Sequence, residues 1–82
     1  MLSIEYKKGF LKKISKIKDS AVKAQMKKQV GKVVDDPEVG KPMRYSRKGT
    51  REMYIAPYRL AYSYSKKQNV LIFLDIYHKD EQ

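Results

Sequence analysis

The chain is 82 residues long, carries 19 Lys and Arg against nine Asp and Glu for a formal net charge of +10, and contains no cysteine. That length suits one domain, residues 1–82, with a small core, and the missing thiols exclude disulfides, thiolate metal sites and a cysteine nucleophile. No apolar run approaches the ~20 residues that span a bilayer, and the N-terminus lacks the apolar stretch of a signal peptide, so a soluble cytoplasmic protein is expected, its surplus charge suited to a polyanion or an acidic protein partner rather than a membrane.

In chain order, Leu2, Ile4 and Tyr6 alternate with Ser3 and Glu5, which predicts a short half-buried strand. From Lys7 to Lys18 the period changes. Phe10, Leu11, Ile14 and Ile17 fall at helical spacing with lysines opposite them, a basic amphipathic helix. Asp19 and Ser20 are N-cap candidates for a second helix with the stripe Val22, Met26, Val30 and Val33, ending around Asp35 to Pro37 because proline cannot continue a helix.

Beyond Gly40 the pattern turns to β structure. Met43 to Ser46 reads as a short strand and Arg47, Lys48 and Gly49 as a turn; a further strand starts at Thr50 and is interrupted or bulged at Ala56-Pro57. Tyr58 to Ser65 alternates strictly, with Tyr58, Leu60, Tyr62 and Tyr64 on one face and Arg59, Ala61, Ser63 and Ser65 on the other. Lys66 to Asn69 is a polar turn, and Val70 to Tyr77 is apolar on both faces apart from Asp75, as in a central strand covered on both sides. The order βααβββ, with one extra short strand possible, predicts an α+β fold: two N-terminal helices packed over one face of an antiparallel sheet.

The last third sets Arg51, Arg59, His78 and Lys79 among apolar strand residues, which points to an anionic target. The plain alternative for Arg59 is a cross-strand ion pair with Asp75. A single His without an organised carboxylate cluster gives no metal site, and no cofactor is expected.

These residues resemble the RelE/ParE superfamily of toxins from type II toxin–antitoxin modules, most closely its RelE branch. Tyr58-Arg59-Leu60-Ala61-Tyr62 is similar to the family's Tyr-Arg-Leu/Val-x-Tyr strand, Arg51-Glu52-Met53 to the Arg-Glu-Leu that often opens the preceding strand, and His78-Lys79 to its terminal His-Arg or Lys-Arg. The likeness covers nearly the whole chain in element order. Glu52 and Tyr54 stand near positions that are lysine in some relatives, and the Tyr that many members carry a few residues after the basic pair has no counterpart before Gln82. For RelE-like members the resemblance implies ribosome-dependent cleavage of mRNA, and for ParE-like members inhibition of DNA gyrase. In either branch it implies neutralisation by an antitoxin with an acidic or amphipathic segment, in a hetero-oligomer.

Cleavage by a 2′-hydroxyl needs a base, positive charge on the transition-state phosphate and an acid for the leaving oxygen. Arg59 and Arg51 are the electrostatic candidates, because a guanidinium stays charged and presents a planar fork of donors. His78 and Lys79 are the acid–base candidates, the first by its ordinary pKa, the second by crowding among like charges and by its match to the family's arginine. Arg44, Arg47 and Lys48 are candidates for the RNA backbone, and Tyr54 and Tyr58 for stacking on bases. A passive RNA-binding module without catalysis remains a third possibility for so basic a chain.

Overall fold

The computed structural model describes residues 1–44 and 49–81. Arg47 and Lys48, and the Tyr45–Ser46 half of the expected short strand, lie outside the described residues. The elements are β1 (Ser3–Tyr6), α1 (Lys8–Lys16), α2 (Ser20–Asp35), β2 (Lys41–Pro42), β3 (Thr50–Ile55), β4 (Tyr58–Ser65), β5 (Val70–His78) and a closing 3₁₀ turn (Lys79–Glu81). Among the described residues no helix is long and apolar enough to cross a membrane.

The first helix stops sooner than its periodicity predicts because Ile17 leaves the helical conformation (φ −76°, ψ 119°) and drops into the core at 8% exposure. Lys18 therefore belongs to the linker. Asp19 then caps α2 as expected: its Oδ1 accepts the N–H groups of Ala21 (2.9 Å) and Val22 (3.2 Å), two of the donors that a helix start leaves without carbonyl partners.

The sheet order is β1-β5-β4-β3-β2. Strands β2 to β5 form the expected antiparallel meander, whereas β1 joins β5 in parallel, Ser3 opposite Val70 and Tyr6 opposite Phe73, so the sheet is mixed. Meander neighbours are joined by turns written into the sequence; a lone first strand followed by helices has no such turn to declare its partner. All four β1 residues are exposed, against the half-buried expectation, because β1 is an edge strand. A short extra strand exists at Lys41–Pro42, and Met43 and Arg44, the described half of the expected one, follow it outside any strand.

Ala56-Pro57, whose peptide bond is cis, does not interrupt a strand. It is the two-residue turn of the β3–β4 hairpin, with Ile55 opposite Tyr58 on one side of it and Tyr54 opposite Arg59 beyond. That register sends Arg51, Met53, Ile55, Tyr58, Leu60 and Tyr62 to the helix-covered face and Glu52, Tyr54, Arg59 and Ala61 to the other. The core lies on the first face. Phe10, Ile17, Met26 and Val33 from the helical half meet Ile55, Leu60, Tyr62, Leu71, Phe73 and Ile76, with the Phe73 ring between Tyr6 (centroids 5.2 Å apart) and Phe10 (5.5 Å).

A register shift lies where Ala61 pairs with Asp75 but Tyr62 with Phe73, leaving Leu74 as the extra residue of a bulge. Strand β5 is central in the sheet but covered on one face only. Leu71, Phe73 and Ile76 are buried while Ile72, Leu74 and Tyr77 remain partly exposed.

Candidate active site

On the open face of the sheet, Lys41, Pro42, Met43, Arg44, Glu52, Tyr54 and Arg59 line a cleft of about 550 Å³. Its polar floor follows from strand parity. Tyr54 and Arg59 are cross-strand partners, Glu52 sits two residues before Tyr54, Lys41 pairs with Glu52 from β2, and Tyr77 pairs with Arg59 from β5.

The Glu52 side chain is only 6% exposed and lies 3.7 Å from Arg59 Nη1; it also accepts a hydrogen bond from the Tyr77 hydroxyl. The Arg59 guanidinium stands 5.7 Å from the centroid of the Tyr54 ring, within cation–π range, and that ring is 53% exposed. Arg59 Nε is buried and has no hydrogen-bond partner among the described residues. A buried N–H without an acceptor is costly, so Arg59 gains from any acceptor that a small shift of its side chain brings within reach.

The alternative Arg59–Asp75 pair does not form. Asp75 lies beyond the end of β1, where β5 has an open edge, and binds Lys13 of α1 at 2.9 Å; Glu52 takes its place beside Arg59. Sequence reasoning missed Glu52 as a member of the site, although a two-residue turn at Ala56-Pro57 dictates which β3 residues face Arg59.

Arg51 and Arg59, grouped on sequence, stand on opposite faces. Arg51 Nη1 donates to the carbonyls of Glu38 (2.9 Å) and Gly40 (2.8 Å), and its Nη2 is 4.0 Å from the Glu38 carboxylate. His78 and Tyr58 are also brought together away from the cleft, on the helix side, edge to face at 5.8 Å, where with Lys13, Lys16, Ile17, Ile76 and Tyr77 they line a separate cavity of about 210 Å³. His78 Nδ1 lies 3.5 Å from the Asp80 carboxylate. Lys79 follows Tyr77 by two residues, is exposed, and is anchored through its backbone N–H to the Pro57 carbonyl at 3.0 Å. Of the expected cations among the described residues, Arg59 and Arg44 line the cleft, joined by Lys41. Among the described residues no group of three His, Cys, Asp or Glu is arranged to hold a metal ion.

Beneath the cleft, Tyr62 is fully buried; its hydroxyl donates to the Pro37 carbonyl and accepts the Gly40 N–H, both at 2.8 Å. Burial pushes its phenol above the ordinary value, and the opposing pulls of the Gly40 N–H and the Arg51 charge are smaller.

The architecture is thus two helices over a mixed five-stranded sheet, with an arginine-floored cleft on the bare face. Residues 4–82 match the sequence model of the family described as "ParE toxin of type II toxin-antitoxin system, parDE", and the chain belongs to that family, within the RelE/ParE superfamily. The fold is shared with the RelBE2 toxin–antitoxin complex from Mycobacterium tuberculosis (TM-score 0.77, 22% identity, 95% of this chain and 91% of that one). It is shared equally with the YoeB/ParE toxin from Agrobacterium tumefaciens (0.81, 13%, 94% and 98%) and with YafQ from E. coli (0.77, 20%, 99% and 97%). At these identities the likeness is one of fold. No curated protein sequence matches the chain.

Proposed function

We propose that this toxin is a metal-independent, ribosome-dependent mRNA endonuclease, held inactive by a cognate antitoxin with an acidic or amphipathic segment. The observation that carries the reading is Arg59: a guanidinium on the floor of an open cleft, with a buried, unpartnered Nε–H, an exposed aromatic ring beside it and a carboxylate 3.7 Å away. That set fits a phosphodiester flanked by a base. The fork of Arg59 takes the phosphate oxygens, Tyr54 offers its ring to a base, and Lys41 and Arg44 lie along the backbone path.

In the cleavage step the 2′-oxygen bonds to phosphorus and the bond from phosphorus to the 5′-oxygen breaks. Glu52 is the carboxylate beside Arg59 that can take the 2′-hydroxyl proton, and Arg59 stabilises the charge that grows on the phosphate. The leaving 5′-oxygen needs a proton. Lys79 fits that part better than His78, because it is exposed at the end of β5 two residues past Tyr77, whereas His78 packs against Tyr58 on the other face. Arg51 has no direct part in this scheme. Dependence on the ribosome is in keeping with so sparse a set of proton donors, since the partner would hold the mRNA in a reactive geometry. The antitoxin proposal draws on the net charge of +10 and on the structural relative solved as a toxin–antitoxin complex.

A gyrase-inhibiting reading is favoured by one observation, that Glu52 offsets the charge of Arg59 at the cleft floor, and agrees with the family's description. A passive RNA-binding module draws on charge alone. Inducing the toxin in cells and mapping RNA ends and DNA breaks together separates them. New transcript ends within codons, with intact DNA, support the endonuclease. Broken DNA with intact transcripts supports gyrase, and salt-steep RNA binding with neither lesion supports the passive module.

A further inference from the structure

Behind the cleft lies a cation that the cleavage step leaves without a part. Strand parity puts Arg51 on the helix-covered face, opposite Tyr62, where its side chain is 25% exposed. A guanidinium in that position must find acceptors. It finds the carbonyls of Glu38 and Gly40, in the link between α2 and β2. Tyr62 grips the same link from β4, donating to Pro37 and accepting from Gly40. The fit is close enough to dictate a residue: a Cβ at position 40 would stand 2.5 Å from the Tyr62 hydroxyl oxygen, so only glycine passes.

The cleft wall begins at the next residue after this clasp. Strand β2 is two residues long, too short to hold itself by ladder bonds, and its first residue, Lys41, pairs with Glu52 and lines the cleft with Arg59. We infer that Arg51 is a positioning residue: with Tyr62 it clamps the Glu38–Gly40 backbone from the helix side of the sheet, and so fixes Lys41 on the opposite side as the second phosphate-binding cation beside Arg59. This rests on reading the cleft as a phosphodiester site. Arg51 does not itself touch the nucleic acid; an Arg51 engaged on phosphate would strip both carbonyls of their donor.

The test is binding of a single-stranded 2′-deoxy oligonucleotide, which cannot be cleaved by its own sugar, measured by fluorescence anisotropy over a range of salt. Each phosphate contact contributes a slope of about 0.7 in log K against log salt for single strands. Lys41→Ala should weaken binding and reduce the slope by about that amount. Arg51→Met should do the same without removing a cleft residue, and the double variant should lose no more than either alone. Gly40→Ala, which removes no charge, should match Arg51→Met, and Arg51→Lys, which keeps donors for the carbonyls, should restore most of the affinity. A lower melting temperature alone would not change the slope of the folded protein. Losses from Lys41→Ala and Arg51→Met that add would make Arg51 a direct phosphate ligand and overturn the inference. A wild-type slope in Arg51→Met beside a reduced one in Lys41→Ala would overturn it too. Binding that ignores both residues would remove the cleft reading and the inference together, whereas normal binding without any mRNA cleavage would remove only the endonuclease.

Discussion

Glu52 and Arg59 face each other across the β3–β4 hairpin at 3.7 Å, and the same carboxylate receives the hydroxyl of Tyr77 from β5. Three strands thus meet at one buried carboxylate. It both holds the arginine and competes with any anion that approaches it.

That double role predicts a split phenotype. Glu52→Gln keeps the shape and a hydrogen-bond acceptor for Tyr77 but removes the competing charge. Its affinity for an uncleavable oligonucleotide should rise about five- to tenfold, as expected when ~1 kcal/mol of opposing charge interaction is lifted. Cleavage of mRNA should nonetheless be lost with the base. Anisotropy and primer extension on the same preparation check both halves; weaker binding would mean that Glu52 serves mainly to orient Arg59.

At the core, the Phe73 ring lies between Tyr6 and Phe10, and all of its surface is buried. Phe73→Ala should cost about 3–5 kcal/mol, a large share of the roughly 5–15 kcal/mol that holds a small domain together. A urea titration should show the midpoint falling steeply. The exposed Leu11 of α1, despite its place on the same helical stripe, should tolerate alanine with a change below about 0.5 kcal/mol.

Tyr62 gives the fold an alkaline limit. Its phenol is raised above 10.0 in the folded state, so its contribution is complete below the unfolded value and is lost as pH climbs through the folded one. The stability difference between wild type and Tyr62→Phe should therefore be flat up to about pH 10 and shrink above it. At neutral pH the variant should be less stable by roughly 1–3 kcal/mol, because the Gly40 N–H and the Pro37 carbonyl lose their partner. Chemical denaturation across pH values checks the sign.

The two helices, the Asp19 cap, the β4 alternation and the order of elements were legible in the sequence because each is written in local periodicity or in a capping residue. Site membership was harder to read, and for a definite reason. Arg51 and Arg59 look alike as cations, but which face each takes depends on whether Ala56-Pro57 is a break or a two-residue turn. Taken as a turn, it pairs Tyr54 with Arg59 and sends Arg51 to the far side. His78 failed to reach Arg59 through a similar matter of parity. The bulge at Leu74 shifts the alternation of β5, so Tyr77 comes to the cleft face, and an apolar run does not display a bulge. The parallel pairing of β1 depended on contacts across the whole chain, which local pattern does not encode.

In the proposed endonuclease, Arg59 floors the active cleft. Arg59→Lys is the informative variant, since it leaves a positive charge for the buried Glu52 while removing the planar fork that grips phosphate; alanine would strand that carboxylate and weaken the fold. Primer extension on a defined mRNA in a purified translation system, with and without ribosomes, is the most direct measurement. Wild-type protein should cut at A-site codons only when ribosomes are present, and folded Arg59→Lys should cut at least about tenfold more slowly, the loss of roughly 1.4 kcal/mol of transition-state binding. Intact mRNA with the wild-type protein under both conditions would contradict an endonuclease, and undiminished cutting by Arg59→Lys would contradict the part given to Arg59.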